Sequence, residues 1–186
     1  MDKNLRCDIA FVRDAGVGGR ILSVVFDKEV PNGHICQVGG LIEGETEIRQ
    51  GLDRNNASDD MYIVMKPEIN PNESSKENAK LGKHRNPAGK AVPAIRLQVR
   101  DRIALSEDYI ENINSTEELT IGSILHVNAD DGLHLARGIY QDGLYLKVVK
   151  VEKDSFDGMV YTEEGYERQG YNMVLLEVVL LTAQAP

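Results

Sequence analysis

The chain has 186 residues, of which 41% are hydrophobic and 27% charged, a composition typical of globular proteins with a sizeable core. No apolar run approaches the roughly 20 residues of a transmembrane helix, and the first residues lack the long apolar segment of a signal peptide. The formal net charge of −9 argues against a nucleic-acid backbone as the main partner. We therefore expect a protein made in the cytoplasm that binds neither nucleic acid nor a membrane.

Period-two alternation of apolar and polar residues predicts β-strands with one buried face. The clear segments are 20–27, 61–66, 94–105, 144–153 and 171–181, and the weaker ones are 7–12, 34–38, 120–127 and 133–139. In 94–105, which we predict to be one strand, Ile95, Leu97 and Val99 share the apolar face. The segment 171–181 is apolar on both faces, as a central strand of a sheet or an interface strand would be.

The connections carry turn signals that suit antiparallel hairpins. Asn-Gly or Asp-Gly pairs occur at Asn32-Gly33, Asp131-Gly132, Asp142-Gly143 and Asp157-Gly158. These pairs tolerate the positive φ angles of type I′ turns. Only residues 105–113 have a helical pattern, with Ser106 as the predicted N-cap. The sequence therefore predicts an all-β protein, an antiparallel barrel or sandwich with little helix.

The two cysteines, Cys7 and Cys36, are too few for a disulfide framework. Thiols of proteins made in the cytosol stay reduced, and cysteine is among the most often buried residue types. The sequence therefore predicts two free, buried cysteines.

Residues 66–93 depart from the strand pattern. They contain four prolines and few large aliphatic residues, which predicts an extended arm or loop between a β body of residues 1–65 and 94–186. That body has room for two small β subdomains. A solvated, flexible loop is the alternative interpretation of the same segment.

Charge is distributed unevenly along the chain. Residues 66–102 contain nine Lys or Arg and four Asp or Glu, a net of +5, whereas the remainder has a net of −14. A basic arm on an acidic body is suited to bind a neighbouring copy or another acidic protein surface. The predicted partner-binding residues are Lys76, Lys80, Lys83, Arg85, Lys90, Arg96 and Arg100.

The stretch PNGHICQVGG at 31–40 combines a turn signal with two potential metal ligands. After the turn, alternation places His34 and Cys36 on one strand face. A closed zinc site needs about four ligands, and no Cys-x-x-Cys or His-Glu-x-x-His spacing supplies the others. We predict a structural role for both side chains.

Other segments resemble functional sites only loosely. AGVGG at 15–19 lacks the Gly-Lys-Ser/Thr ending of a phosphate loop and precedes a β-like run, so we predict a flexible turn. His126 and His134 could face each other across a hairpin, which leaves a small metal-dependent β-barrel enzyme as an alternative hypothesis. No Gly-x-Ser-x-Gly elbow occurs. An oligonucleotide-binding barrel is disfavoured, since residues 66–93 contain no aromatic residue.

Five segments in the range of roughly residues 20–113 form a familiar series. They are Asn32-Gly33, Gly40 to Glu47, Lys66-Pro67-Glu68, Asn86 to Lys90, and Arg96 to Ala104. In this order they resemble segments of the capsid decoration or auxiliary head proteins of tailed bacteriophages. The chain departs from the family pattern where Arg100-Asp101 replaces Gly-Asp and where the proline-rich arm replaces a more apolar loop.

The resemblance implies a non-enzymatic virion structural protein without a cofactor or metal. Such a protein decorates and stabilises the capsid surface by binding the major capsid protein, and it also binds copies of itself. A neck or tail connector, or a fibre-base protein, is the alternative position in the virion.

Overall fold

In a computed structural model, the described residues are 7–11, 20–54, 56, 60–66, 85–110, 119–127, 133–135, 141–162 and 165–182. They form thirteen strands: β1 (Cys7–Phe11), β2 (Ile21–Val25), β3 (Val30–Pro31), β4 (Ile35–Leu41), β5 (Ile48–Asp53), β6 (Tyr62–Val64), β7 (Arg85–Asn86), β8 (Val92–Arg96), β9 (Arg102–Ser106), β10 (Ile124–Val127), β11 (Leu133–Leu135), β12 (Gly143–Thr162) and β13 (Gly165–Leu181). The prediction of an all-β protein with little helix is confirmed. Among these residues, no helix has the length and hydropathy needed to cross a membrane.

Five strands form a closed barrel in the order β2-β5-β4-β6-β8. Four of its pairings are antiparallel, and the pairing of β2 with β5 is parallel. Side chains alternate between the two faces of the barrel wall, as the period of two requires. On β6, Tyr62 and Val64 belong to the cluster inside the barrel, whereas Ile63 lies in a second cluster outside it.

Six strands form a second, wholly antiparallel sheet in the order β1-β9-β13-β12-β10-β11. β13 lies between β9 and β12, so residues 171–181 take the first of the two positions expected for them, a central strand. Its residues Val174, Leu176 and Val178 are fully buried on one face. The chain enters this sheet with β1, forms the barrel, and returns to the sheet with β9.

The barrel and the sheet share one hydrophobic cluster. Ile63 and Ile95 from the barrel pack in the same cluster as Leu105 and Leu176 from the sheet. Full burial of one such side chain contributes roughly 1.5–3 kcal/mol, so the contact is a substantial part of the stability. A hydrogen bond also connects the barrel to the sheet: Nη2 of Arg54, which is only 1% exposed, donates to the carbonyl of Leu144 at 3.1 Å.

The segment 94–105, predicted as one strand, instead forms two strands that belong to different sheets. β8 ends at Arg96 in the barrel and β9 begins at Arg102 in the other sheet. Between them the chain turns, and Arg100 adopts a φ of 77°. We call residues 97–101 the corner. The alternation breaks there, because Val99 is 47% exposed whereas Leu97 is buried.

A buried ion pair fixes the corner. Arg20 and Asp101 are paired, with side chains 7% and 3% exposed. The Arg20 guanidinium also donates to the carbonyl of Arg96 from Nε at 3.1 Å and from Nη2 at 2.8 Å. The Asp101 carboxylate accepts from the backbone N–H of Gln98 at 2.8 Å, and the Asp101 carbonyl accepts from the Val178 N–H of the sheet at 2.9 Å. The pair therefore joins β2, the end of β8 and the second sheet.

The Asn32-Gly33 pair does not form the expected type I′ hairpin turn. β3 pairs with β7 rather than with β4, so the turn joins two strands that are not hydrogen-bonded to each other. His34 N–H donates to the Pro31 carbonyl at 3.3 Å, and only Gly33 has a positive φ, of 88°. This is the pattern of a type II turn, which requires glycine only at its third position.

Asp157-Gly158 is also not a turn. It lies inside β12, where the pairing with β13 shifts register between Phe156 and Gly158, as at a β-bulge. Asp142-Gly143 leads directly into β12. Asp131-Gly132 falls between the paired strands β10 and β11 but lies outside the described residues.

The predicted helix over 105–113 is a single 3₁₀ turn, Glu107–Tyr109. Residues 105 and 106 belong to β9, and Ser106 makes no side-chain capping bond to the turn. Pairing of β9 with β13 therefore overrides the local helical pattern. Residues 111–118 lie outside the described residues.

The end of the predicted arm is part of the body. Arg85–Asn86 pair with Val30–Pro31, and β8 begins at Val92 within the barrel wall. Residues 67–84 of the arm lie outside the described residues.

We expect Asp101→Ala to lower the free energy of unfolding by about 3–5 kcal/mol, because it leaves the Arg20 guanidinium buried without its counter-ion. The matched control is Asp60→Ala, which removes an exposed ion pair with Arg96 (N–O distance 2.6 Å) and costs about 0.2–1 kcal/mol. Guanidinium denaturation measures both. Equal losses would contradict a special role for the buried pair.

A second prediction concerns two glycines with similar backbone angles, Gly33 (φ 88°) and Gly44 (φ 83°). A Cβ on Gly33 would lie 2.8 Å from the Cβ of Cys7 and 2.8 Å from the hydroxyl of Tyr109, whereas a Cβ on Gly44 meets nothing within 4 Å. Gly44→Ala should cost about 1 kcal/mol from backbone strain alone. Gly33→Ala should cost at least about 2 kcal/mol more from overpacking, measured by thermal unfolding. Similar melting temperatures for the two variants would show that the packing around Gly33 is unimportant.

Candidate functional site

The predicted His34–Cys36 face lies at one end of the barrel, beside an acidic residue of the neighbouring strand. Cys36 is the strand partner of Asp53, in the register of β4 with β5. His34 directly precedes β4 and is 4% exposed. The ring of Phe26 meets the His34 imidazole edge-on, with centroids 5.4 Å apart. His34 and Cys36 therefore both belong to the packed interior of this barrel end.

Charged atoms of two further residues complete the cluster. Nε2 of His34 lies 3.4 Å from Oδ1 of Asp53, and Nζ of Lys28 lies 2.9 Å from Oδ2. The Asp53 and Lys28 side chains are 32% and 39% exposed, so this ion pair lies at the rim of the barrel. The carboxylate connects the buried imidazole to the solvent-exposed ammonium group.

Burial makes the Cys36 thiol a poor nucleophile. Two effects raise the Cys36 pKa from 9.0 to about 12. Desolvation by burial is the larger effect, and the nearby negative charge of Asp53 is the smaller. The thiolate is the reactive form of cysteine, and it is absent at neutral pH in this environment. The prediction of two buried, free cysteines is confirmed. Across the described residues, no group of three or more His, Cys, Asp and Glu is placed to hold a metal ion.

The histidines expected to face each other do so in the strand register. His126 of β10 is the Cα partner of His134 of β11. The acidic loop that connects these strands, 128–132, and the glycine-rich segment 15–19 both lie outside the described residues.

The predicted partner-binding cations that the structure describes do not lie at one place. Lys90 is exposed in the turn between β7 and β8, next to the Gly89 N–H that donates to the Phe26 carbonyl at 2.9 Å. Arg100 is exposed at the corner, beyond the opposite end of β8. Arg96 is paired with Asp60, whose hydrogen bond raises the Arg96 pKa. Arg85 is half-buried in β7, and Lys76, Lys80 and Lys83 lie outside the described residues.

Sequence reasoning missed a buried polar junction around Asn32. The Asn32 side chain accepts from the Lys66 N–H at 3.0 Å and donates to the Lys66 carbonyl at 2.8 Å. Nδ2 of Asn86 donates to Oδ1 of Asn32 at 3.2 Å, and the Tyr109 hydroxyl donates to the Asn32 carbonyl. We call these four residues the Asn32 junction. Asn32 and Asn86 are 3% and 0% exposed, although asparagine next to Gly or Pro ordinarily signals an exposed turn.

Comparisons of the chain with protein-family models, with curated proteins and with solved structures found no match.

We predict that Cys36 resists alkylation by iodoacetamide at pH 8 in the folded protein and reacts fully in guanidinium, as read by peptide mass spectrometry. Between pH 9 and pH 12 the unfolded chain loses the thiol proton while the folded chain keeps it, so the unfolding free energy falls as pH rises. One such group contributes at most about 1.4 kcal/mol per pH unit. Cys36→Val should reduce that slope. Rapid native alkylation, or an unchanged slope in the variant, would contradict the shielded thiol.

Proposed function

We propose that the chain is a virion structural protein that decorates and stabilises a bacteriophage capsid by binding the major capsid protein. Binding to the assembled form alone would stabilise the shell by mass action. The proposal rests first on the segment resemblance, and the described structure adds support in two ways.

The Asn32 junction is the observation that carries the proposal. Three of the segments that resemble the decoration proteins contribute to it: Asn32-Gly33, the Lys66 strand end and the Asn86 turn. These residues are 34 and 54 positions from Asn32 along the chain, yet they meet in one buried hydrogen-bonded cluster. The motifs thus connect distant segments of the chain into a rigid β body. A protein that works through its shape and contact surface needs such rigidity.

Exposed cations on an acidic chain supply the electrostatic part of the proposal. The chain has a net charge of −9, yet Lys90 and Arg100 are exposed within its basic part. Such charges steer association with an acidic surface and select among partners. They are the described members of the predicted partner-binding set that are best placed to contact a shell.

The experiment is binding of the purified chain to capsid shells that lack it, read by co-sedimentation and cryo-EM. Lys90→Glu and Arg100→Glu should each weaken binding about two- to fivefold at low salt, and the difference from the unmodified chain should shrink as salt is raised. Lys153→Glu, an exposed lysine of β12 outside the basic part, is the matched control and should have little effect.

Absence of the chain from shell-surface density would overturn the assignment. The copy number per particle separates the two virion positions, because shell proteins occur in hundreds of copies whereas neck and tail connectors occur in about a dozen.

A further inference from the structure

The Asn32-Gly33 turn is a potential site of chemical modification as well as a structural element. It is the only Asn-Gly pair in the chain. In such a pair the backbone nitrogen of the glycine can attack the side-chain carbonyl carbon of the asparagine, because glycine has no side chain to obstruct the approach. A five-membered succinimide ring forms and ammonia leaves. Water then opens the ring to aspartate or isoaspartate, so the net change is hydrolysis of the Asn32 amide.

The folded turn obstructs each requirement of this reaction. The Gly33 nitrogen must lose its proton before it attacks, but its N–H donates to the Val64 carbonyl at 2.8 Å. The Asn32 amide must turn towards that nitrogen, but its Oδ1 accepts from the Lys66 N–H at 3.0 Å and its Nδ2 donates to the Lys66 carbonyl at 2.8 Å. Asn32 is 3% exposed, which limits the access of water and hydroxide. The turn is therefore unreactive while the Asn32 junction is closed.

The product of the reaction does not fit the junction. An ionised carboxylate only accepts hydrogen bonds, so aspartate at position 32 would direct an oxygen at the Lys66 carbonyl to which Nδ2 now donates. Its charge would also be buried, because Asn32 is almost fully covered. Isoaspartate adds a carbon to the main chain, which displaces Gly33 from its bond to Val64. Either product therefore prevents the junction from closing again.

We propose that Asn32 is a deamidation site that the closed junction protects and that reacts when the junction opens. The Gly33 nitrogen forms a bond to Cγ of Asn32, the Cγ–Nδ2 bond breaks, and Nδ2 leaves as ammonia. Because the hydrolysed product cannot close the junction, the modification makes an opening of the fold irreversible. This chemistry follows from the turn and its hydrogen bonds, and it does not depend on the proposed capsid role.

Asn86 provides a control within the same junction. It is 0% exposed, and its Nδ2 donates to Oδ1 of Asn32 at 3.2 Å. The next residue is Pro87, whose nitrogen carries no hydrogen and therefore cannot close a neutral succinimide ring. When the junction opens, Asn32 should deamidate while Asn86, which is buried to a similar extent, stays intact.

The test is peptide mass spectrometry of the full chain after incubation at mildly alkaline pH, once in buffer and once in guanidinium. In guanidinium, Asn32 should convert to aspartate and isoaspartate, which appear as two product peptides resolved by chromatography. In buffer the conversion should be at least about a hundredfold slower, because it requires an opening of the folded structure. An intact Asn32 in guanidinium would overturn the reactive pair, and equal rates in the two samples would overturn its protection.

Two tyrosine variants test whether the junction itself protects the turn. The Tyr109 hydroxyl donates to the Asn32 carbonyl. The Tyr145 hydroxyl donates to the Gln141 carbonyl at 3.0 Å, outside the junction, and both tyrosines are buried. In buffer, Tyr109→Phe should accelerate the conversion of Asn32 at least about fivefold, whereas the matched control Tyr145→Phe should change it less than about twofold. Equal rates in these two variants would overturn the role of the junction.

A third variant tests whether the product is incompatible with the fold. Asn32→Asp should lower the equilibrium constant of folding at least about tenfold, as measured by guanidinium denaturation. Asn56→Asp makes the same change at an exposed asparagine and should leave that constant nearly unchanged. A failure of Asn32→Asp to fold, while Asn56→Asp folds, agrees with the proposal. Unmodified stability of Asn32→Asp would overturn the irreversibility.

Discussion

The arrangement of the barrel on the sheet depends on the buried pair of Arg20 and Asp101. The guanidinium lies at the start of β2, and the carboxylate lies where the chain leaves the barrel. Their charges are removed from water, which is costly, and the cost is offset because nearly every lone pair and N–H that faces inward has a partner: the Arg96 carbonyl, the Gln98 N–H and each other. A hydrophobic substitute could fill this volume, but it would not fix the direction in which the chain departs.

That direction determines what the molecule presents to its surroundings. Because the corner turns the chain from one layer into the other, Val99 and Arg100 project where a continuous strand would have carried them into the sheet. The apolar cluster behind the corner, with Ile95 and Leu105 on its two sides, makes the layers one body. The Asn32 junction also stabilises the body, because its hydrogen bonds join four segments of the chain.

Much of the fold follows from local pattern. The strands in 20–27 and 171–181, and the burial of the cysteines, could be predicted because buried positions are occupied by apolar residues in the sequence. No comparable sequence pattern marks the corner. Arg100 takes a left-handed conformation that glycine or asparagine would have signalled, and hydrogen bonds to a strand nearly eighty residues away maintain it. An Asn-Gly or Asp-Gly pair indicates only that the chain can adopt a positive φ there. A type II turn or a β-bulge can contain such a residue as well as a hairpin turn can. At the candidate site, alternation correctly placed Cys36 inward, whereas Asp53 came beside it through strand pairing that sequence spacing does not encode.

The order of strands in the six-stranded sheet has a consequence for biosynthesis. Its central strand, β13, is the last of the thirteen to leave the ribosome, while its neighbour β9 and the edge strand β1 emerge much earlier. Until residues 173–178 are available, β9 lacks its inner partner and the outer wall of the barrel, with Ile63 and Ile95, has no cover. A nascent chain that has not yet completed β13 therefore exposes apolar surface of the kind that makes folding intermediates prone to aggregate. Removal of residues 173–178 would therefore leave the chain in that state.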